Sequence, residues 1–267
     1  MIKGRGGTKD LTFCATGDQI RPTFRFKLAL MNWTDQAILL NLRRHGEHGA
    51  VVSLLSRDHG RVAGYVRGAV GKAARGALQP GNRLLITWQS RLAEQLGTIA
   101  WECLNATSAR WLHDAKRLAA LTSACALAEL SFPEDQPHPA AFDGLAGLLE
   151  NLEDEGWAAL YVHWELGLLA ELGFGLDLSC CAVSGQTTDL AYVSPRSGRA
   201  VSRLAAEPYV DRLLPLPGFL LEKTALADAD VLAGLRLTGY FLERLALGPQ
   251  GKGVPAARSR LVARLQG

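Results

Sequence analysis

The sequence predicts an α+β chain of more than one domain: a small all-β barrel, then an α-helical domain carrying a small zinc-ribbon-like insertion that lacks metal ligands. Three observations predict it. Short apolar or alternating runs separated by glycine turns fill the stretch from Met31 to Leu104, helical periodicity takes over after Thr107, and the segment around Cys181 has the outline of a metal ribbon with most ligands replaced.

At 267 residues, with 48% hydrophobic and 21% charged residues, the chain is long enough for one large domain or two ordinary ones. No apolar run approaches the roughly 18 residues needed to cross a bilayer. The chain is expected to divide into a leader (1–30), a barrel (31–107) and a helical domain (108–267) whose insertion spans 176–205. The leader is read as disordered, because its apolar run Leu11 to Ala15 is too short for a secretory signal. An ordered pattern opens at M-N-W-T-D-Q-A-I-L-L, so Met31 is an alternative start.

The barrel is expected from five strands: Gln36 to Leu42, Ala50 to Ser56, Arg61 to Gly68, Arg83 to Gln89 and Gly97 to Leu104. Turns such as H-G-E-H-G, R-D-H-G and Q-P-G-N separate them. Five short strands are the count of an OB-fold. An SH3-like barrel gives a similar pattern, so strand count leaves both open.

Helices are expected over Ala109 to Leu130, Ala140 to Leu152, Trp157 to Leu172 and Thr224 to Ala246. F-P-E-D-Q-P-H-P between the first two is a loop, since its prolines cannot sit in a helix interior. Trp157, Leu160, Tyr161, Trp164 and Leu168 recur at helical spacing and are read as core.

The insertion contains C-A-V-S-G and, after the S-P-R-S-G turn, a second run ending at Ala205. A structural ribbon closes a tetrahedron with four ligands, usually thiolates. Here Cys181, Ser184, Ser202 and Ala205 fill those places, so the turns are expected to be held by Leu176, Leu178, Val183, Leu190, Tyr192 and Val201 without metal. The five cysteines (Cys14, Cys103, Cys125, Cys180 and Cys181) are odd in number and scattered, which fits a reducing compartment such as the cytoplasm.

Nucleotide signatures fail. G-A-V-G-K-A at Gly68 to Ala73 lacks the first glycine and the magnesium-binding hydroxyl of a phosphate loop. The glycines Gly173 and Gly175 follow a helix where a dinucleotide motif needs a strand. His45, His48 and His59 have only Glu47 and Asp58 near them in sequence, so a polar hairpin turn is expected there in preference to the metal site of a hydrolase. No nucleophile, catalytic residue or cofactor motif is evident.

Charge is unevenly spread. Lys and Arg outnumber Asp and Glu nine to five from Met31 to Ala109, fall to three against eleven from Arg110 to Gly175, and recover to eleven against eight beyond. The first block therefore suits a polyanion. Its candidates are Arg43, Arg44, Arg57, Arg61, Arg67, Lys72, Arg75 and Arg83, with Arg91 nearby. The segment from Arg67 to Arg83 reads as a cationic, glycine-rich loop able to track phosphates. Trp33, Tyr65 and Trp88 are the available base platforms, with Trp88 favoured as core. Arg236, Tyr240 and Arg244, at i, i+4 and i+8, form a second candidate surface suited to a peptide carboxylate.

W-T-D-Q-A-I-L-L, H-G-E-H-G-A-V-V-S-L-L-S-R-D-H-G-R-V-A-G-Y-V-R-G-A, L-Q-P-G-N, L-G-F-G-L-D-L-S-C-C-A-V-S-G and Y-V-S-P-R-S-G-R-A-V-S together resemble the RecO family of bacterial DNA repair and recombination mediators. The likeness runs from Met31 into the tail G-K-G-V-P-A-A-R-S-R-L. It implies an N-terminal OB-fold, a helical domain with a zinc-finger-like insertion, and no enzymatic activity. It also implies binding of single- and double-stranded DNA, strand annealing, and cooperation with RecR to load RecA on DNA coated with single-strand-binding protein. DNA contacts would fall on the barrel arginines and Lys72, and the acidic tail of single-strand-binding protein on the helical domain, for which Arg236, Tyr240 and Arg244 are proposed. Zinc does not carry over, because three of the four ligand positions lack a thiol. A barrel-bearing adaptor that binds only proteins is the competing expectation.

Overall fold

The computed structural model describes residues 31–91, 95–221 and 228–267, so the expectations for the leader lie outside the described residues. Five strands, β1 (Met31–His45), β2 (Gly49–Ser56), β3 (Gly60–Arg67), β4 (Arg83–Ser90) and β5 (Gly97–Asn105), pair in the closed order β1-β2-β3-β5-β4. The circuit closes through β1 and β4, while β3 and β5 run parallel. That OB-like order decides between the two barrels left open by the sequence. A short helix, α1 (Lys72–Ala77), closes one end of the barrel with Ala74 and Leu78 in the barrel core.

Alternating side chains fill the interior, with Ala37, Leu39, Val52, Leu54, Leu84 and Ile86 almost fully buried. β1 begins five residues earlier than its apolar pattern, because Met31 to Asp35 pair with Ile86 to Ser90 of β4. Its register slips between Leu39 and Asn41. Such a bulge adds one unpaired residue. Leu39 and Leu42 therefore face the barrel core, Leu40 packs with the helical domain, and Asn41 Nδ2 donates to both Glu129 oxygens at 3.1 Å. With Ile38 and Leu55, Leu40 makes barrel exterior and helical interior one continuous core.

The expected first helix is two. α2 (Thr107–Arg110) ends at Trp111, and α3 (Ala115–Ser131) starts afresh because Asp114 Oδ1 accepts from the backbone N–H groups of Lys116 and Arg117 at 3.0 and 2.9 Å. α4 (Pro139–Glu150) opens on a proline, whose missing N–H costs nothing at that position. α5 (Trp157–Glu171) buries Trp157, Tyr161 and Leu168 of the aromatic stripe. The insertion holds β6 (Leu190–Val193) and β7 (Ala200–Ser202), followed by α6 (Arg203–Ala206). A third strand, β8 (Leu214–Pro215), pairs with β6 beyond the expected limit of 205. Leu190 and Val201 are buried there, but Val183 is 71% exposed at the tip of a turn and cannot hold the insertion together.

α7 (Asp228–Phe241) gives way to a π turn over Leu242–Leu247, and the start expected at Thr224 lies outside the described residues. A further helix, α8 (Ala256–Gln266), was not expected from the arginine-rich tail. It docks because Arg258 Nε and Nη2 donate to the buried Glu165 carboxylate at 2.6 and 2.8 Å, with Thr238 also donating to that carboxylate. Breaking one partner of such a buried pair typically costs about 3–5 kcal/mol.

Candidate nucleic-acid interface

Strand register sorts the candidate cations. On the outer face of β1, β2 and β3, Arg43 lies across from Val51 and Tyr65, and His45 across from Gly49 and Arg67. A Cβ at Gly49 would stand 2.1 Å from the Tyr65 hydroxyl, so a larger residue there would displace that ring. The Tyr65 ring lies over this gap, 6.1 Å from His45 and edge-on to it. Arg44, Arg67, Lys72 and Arg75 gather at the same end of the barrel, where β1 and β3 finish and α1 begins. All five cations are exposed, and none has an ion-pair partner among the described residues. The expected phosphate-tracking loop is thus corrected: Lys72 and Arg75 stand on α1, which Gly71 precedes and Leu78 ends.

Arg57, Arg61 and Arg83 behave differently. Arg57 forms a two-pronged pair with Asp143 of α4 at 3.1 Å for both bonds. Arg61 Nε donates to the Phe132 carbonyl at 2.8 Å and its Nη1 pairs with Glu134 at 3.0 Å. Arg83 Nη1 meets Glu150 at 2.7 Å. The chain also bridges Arg61 and Glu134 through backbone, with Asp135 N–H donating to the Arg61 carbonyl at 2.9 Å. Gly60, at φ +73°, lies so close to Gln136 that a Cβ would meet its carbonyl at 1.9 Å.

Asp35 staples the β2–β3 turn, accepting from the Ser56 hydroxyl, from Asp58 N–H at 2.8 Å and from the His59 ring at 3.4 Å. Burial opposes its charge, but these bonds outweigh burial and hold the carboxyl below its ordinary value. His59 stacks on Trp33 with ring centroids 3.8 Å apart, and Trp33 in turn stacks on Trp88 at 5.7 Å. Trp88 is buried, donating its indole N–H to Ala63 at 3.1 Å. Of the candidate platforms, Tyr65 alone sits among the free cations. His45 and His48 belong to the β1–β2 turn and His59 to the β2–β3 turn, at opposite ends of β2, so the histidines do not converge.

Between barrel and helices lies a cleft of about 240 Å³ lined by Asn41, Arg43, Ser53, Arg61, Glu129 and Glu134, among others. Sequence reasoning missed it because its walls come from four separate segments, β1, β2, β3 and the stretch holding Glu129 and Glu134. Arg236 on α7 and Arg244 in the π turn that follows are exposed, and the Arg244 guanidinium lies 5.5 Å over the Tyr240 ring, a cation–π contact.

In the insertion, Cys181 is 1% exposed and its Sγ accepts from Ser184 N–H at 3.5 Å and Ser202 N–H at 3.3 Å. Burial pushes this thiol up, and the hydrogen bonds from Ser184 and Ser202 pull it down further, to about 6. The ligand positions do converge here, but one sulfur and two neutral hydroxyls do not fit zinc. Among the described residues no group of three or more His, Cys, Asp or Glu is placed to hold a metal ion.

The family model described as "Recombination protein O N terminal" matches residues 31–106, and "Recombination protein O C terminal" matches residues 112–252. Fold and matches together define an α+β recombination protein built from a barrel and a helical domain. A protein of Rhodospirillum rubrum named "DNA repair protein RecO" is 52% identical over 245 residues, covering 89% of this chain and 97% of the relative. One of the same name from Rhodospirillum centenum is 53% identical over 236 residues, with 88% and 94% covered. The Caulobacter vibrioides relative is 47% identical over 237 residues, with 88% and 98% covered. The chain belongs to the RecO family of DNA repair proteins.

Proposed function

We propose that this chain is a recombination mediator that binds single- and double-stranded DNA at the free end of its barrel and anneals complementary strands, with no catalytic step of its own. Arg43, Arg44, Arg67, Lys72 and Arg75 supply the contacts, and their gathering at one barrel end without carboxylate partners among the described residues is the observation that carries this reading. Two DNA strands repel each other. A protein that neutralises phosphates on both lowers that cost while leaving base edges free to pair. Arg57, Arg61 and Arg83 drop out of the contact set, since each is already held by a carboxylate of the helical domain.

The barrel (31–107) acts on DNA, while the helical domain (108–267) docks protein partners in the cytoplasm: RecR, and single-strand-binding protein at Arg236, Tyr240 and Arg244. In that arrangement the protein works in the RecF pathway, helping to load RecA onto gaps. Family membership supports this reading at the level of DNA repair.

Fluorescence anisotropy with a labelled single-stranded oligonucleotide at several salt concentrations tests the DNA interface. The log–log salt slope falls by about 0.7 for each phosphate contact removed. The combined Arg43→Ala, Arg44→Ala, Arg67→Ala and Lys72→Ala protein is expected to lose affinity and slope together. Unchanged affinity and slope would refute the interface. Negligible DNA binding by the unaltered protein at physiological salt would favour a purely protein-binding adaptor.

A further inference from the structure

We infer that the cleft between the barrel and α3 receives one unpaired nucleobase and favours guanine. This rests on the proposed DNA interface, of which the cleft is a continuation: Asn41 and Ser53 are cross-strand partners, and the next outward pair along the same sheet face is Arg43 and Val51. A strand held at Arg43 and Arg67 passes the mouth of the cleft.

Its size and chemistry select the occupant. About 240 Å³ falls below the roughly 300–1,000 Å³ of pockets that enclose drug-sized ligands, and suits a single flat heterocycle. The Ser53 hydroxyl oxygen is buried without a hydrogen-bond partner. Such groups in native proteins are normally satisfied. Glu134 uses one carboxylate oxygen on Arg61, and its side chain remains half exposed at the rim. Asn41 already spends its amide on Glu129, so the side of the cleft nearest the helices presents acceptors.

Guanine offers N1–H and the N2 amine side by side, a donor pair that a carboxylate can accept together. Its O6 and N7 are acceptors, for which Arg43 has unused donors. Thymine presents only N3–H between two carbonyls, and those carbonyls would face the carboxylates. Base pairing hides the N1 edge of guanine, so the cleft reads single strands only.

Anisotropy with an all-thymine oligonucleotide, the same oligonucleotide carrying isolated guanines, and a third carrying inosine at those positions tests this. The guanine oligonucleotide is expected to bind at least about five-fold more tightly than the all-thymine one, the lower bound for a bidentate base contact. Inosine, lacking the N2 amine, loses most of that margin. Ser53→Val and Ser53→Ala should each erase the preference while leaving all-thymine affinity and its salt slope unchanged. Two variants guard against a local folding defect, and unaltered all-thymine binding certifies both. Equal binding of all three oligonucleotides by the unaltered protein overturns the cleft and leaves the DNA interface standing. A preference that persists in both variants also overturns it, and failure to bind any oligonucleotide overturns both readings.

Discussion

Arg61 and Arg67 stand on the same strand, about 20 Å apart at the usual rise per residue, and have opposite surroundings. Arg61 is pinned at the end where the helical domain packs, bonded to the Phe132 carbonyl and paired with Glu134. Arg67 ends the strand in solvent, beside His45 and Gly49 and without an ion-pair partner among the described residues. Residue type and strand are the same, so the difference lies in what packs against each end. An arginine already facing a carboxylate in fixed geometry must lose that partner before it can take a phosphate. A solvated arginine gives up only water and counterions.

The largest expected effect follows from this division. Removing Arg43, Arg44 and Arg67 together should weaken single-stranded DNA binding by more than an order of magnitude at low salt, with a slope reduced by about 0.7 per lost contact. Thermal stability should stay unchanged. Removing Arg57, Arg61 and Arg83 should do the reverse: lowered stability with the salt slope preserved. If both triples lost the same slope, the two ends would be equivalent and the comparison would break.

Arg61→Ala alone comes next. It leaves the Phe132 carbonyl without its side-chain donor at a part-buried position. Loss of a hydrogen bond there costs about 1–3 kcal/mol, a few degrees in Tm for a chain of this size. Urea denaturation should show a lower midpoint. A midpoint equal to that of the parent would mean that Arg61 is no strut.

The strands were legible because burial on one face imposes alternation, and the turns carried glycines. The pinned end was not legible, since its partners lie far away in sequence: 86 residues separate Arg57 from Asp143 and 67 separate Arg83 from Glu150. A count of charges by segment showed a basic block followed by an acidic one, and the structure folds part of the one onto the other. The helix break at Asp114 was missed, and the single helix expected over Ala109 to Leu130 is two, with the Asp114 side chain capping the second. α8 was not legible either, because its apolar positions are few and the buried Arg258 is indistinguishable in sequence from the exposed Arg260 and Arg264. The identity of the family was carried by local wording in the hairpin and the insertion, while the roles of individual arginines depended on tertiary packing.

A smaller effect is expected at Arg83 and Glu150. Both side chains are partly exposed, and ion pairs of this kind couple by less than about 1 kcal/mol. A double-mutant cycle of Arg83→Ala and Glu150→Ala should give a coupling in that range that shrinks with added salt. A salt-independent coupling as large as the Arg61 effect would extend the pinned end into a single rigid network.

The smallest expected effect, none at all, concerns the insertion, where Cys181 lacks, among the described residues, the ligands that would complete a metal site. Cys181, Ser184 and Ser202 meet, and the N–H groups of Ser184 and Ser202 point at the Cys181 sulfur. Ala205 offers no donor, and neutral hydroxyls bind zinc poorly. The turns are instead closed by backbone bonds, Cys181 N–H to the Gln186 carbonyl at 2.8 Å and Gly185 N–H to the Cys181 carbonyl at 2.9 Å, over the buried Leu190 and Val201. In metal-dependent domains binding free energy is folding free energy, and chelators unfold them. Here a strong chelator should leave Tm unchanged, and elemental analysis of the purified protein should find less than one equivalent of zinc. Stoichiometric zinc, lost together with stability on chelation, would mean that the position alone preserves the function, contrary to what Arg61 and Arg67 teach.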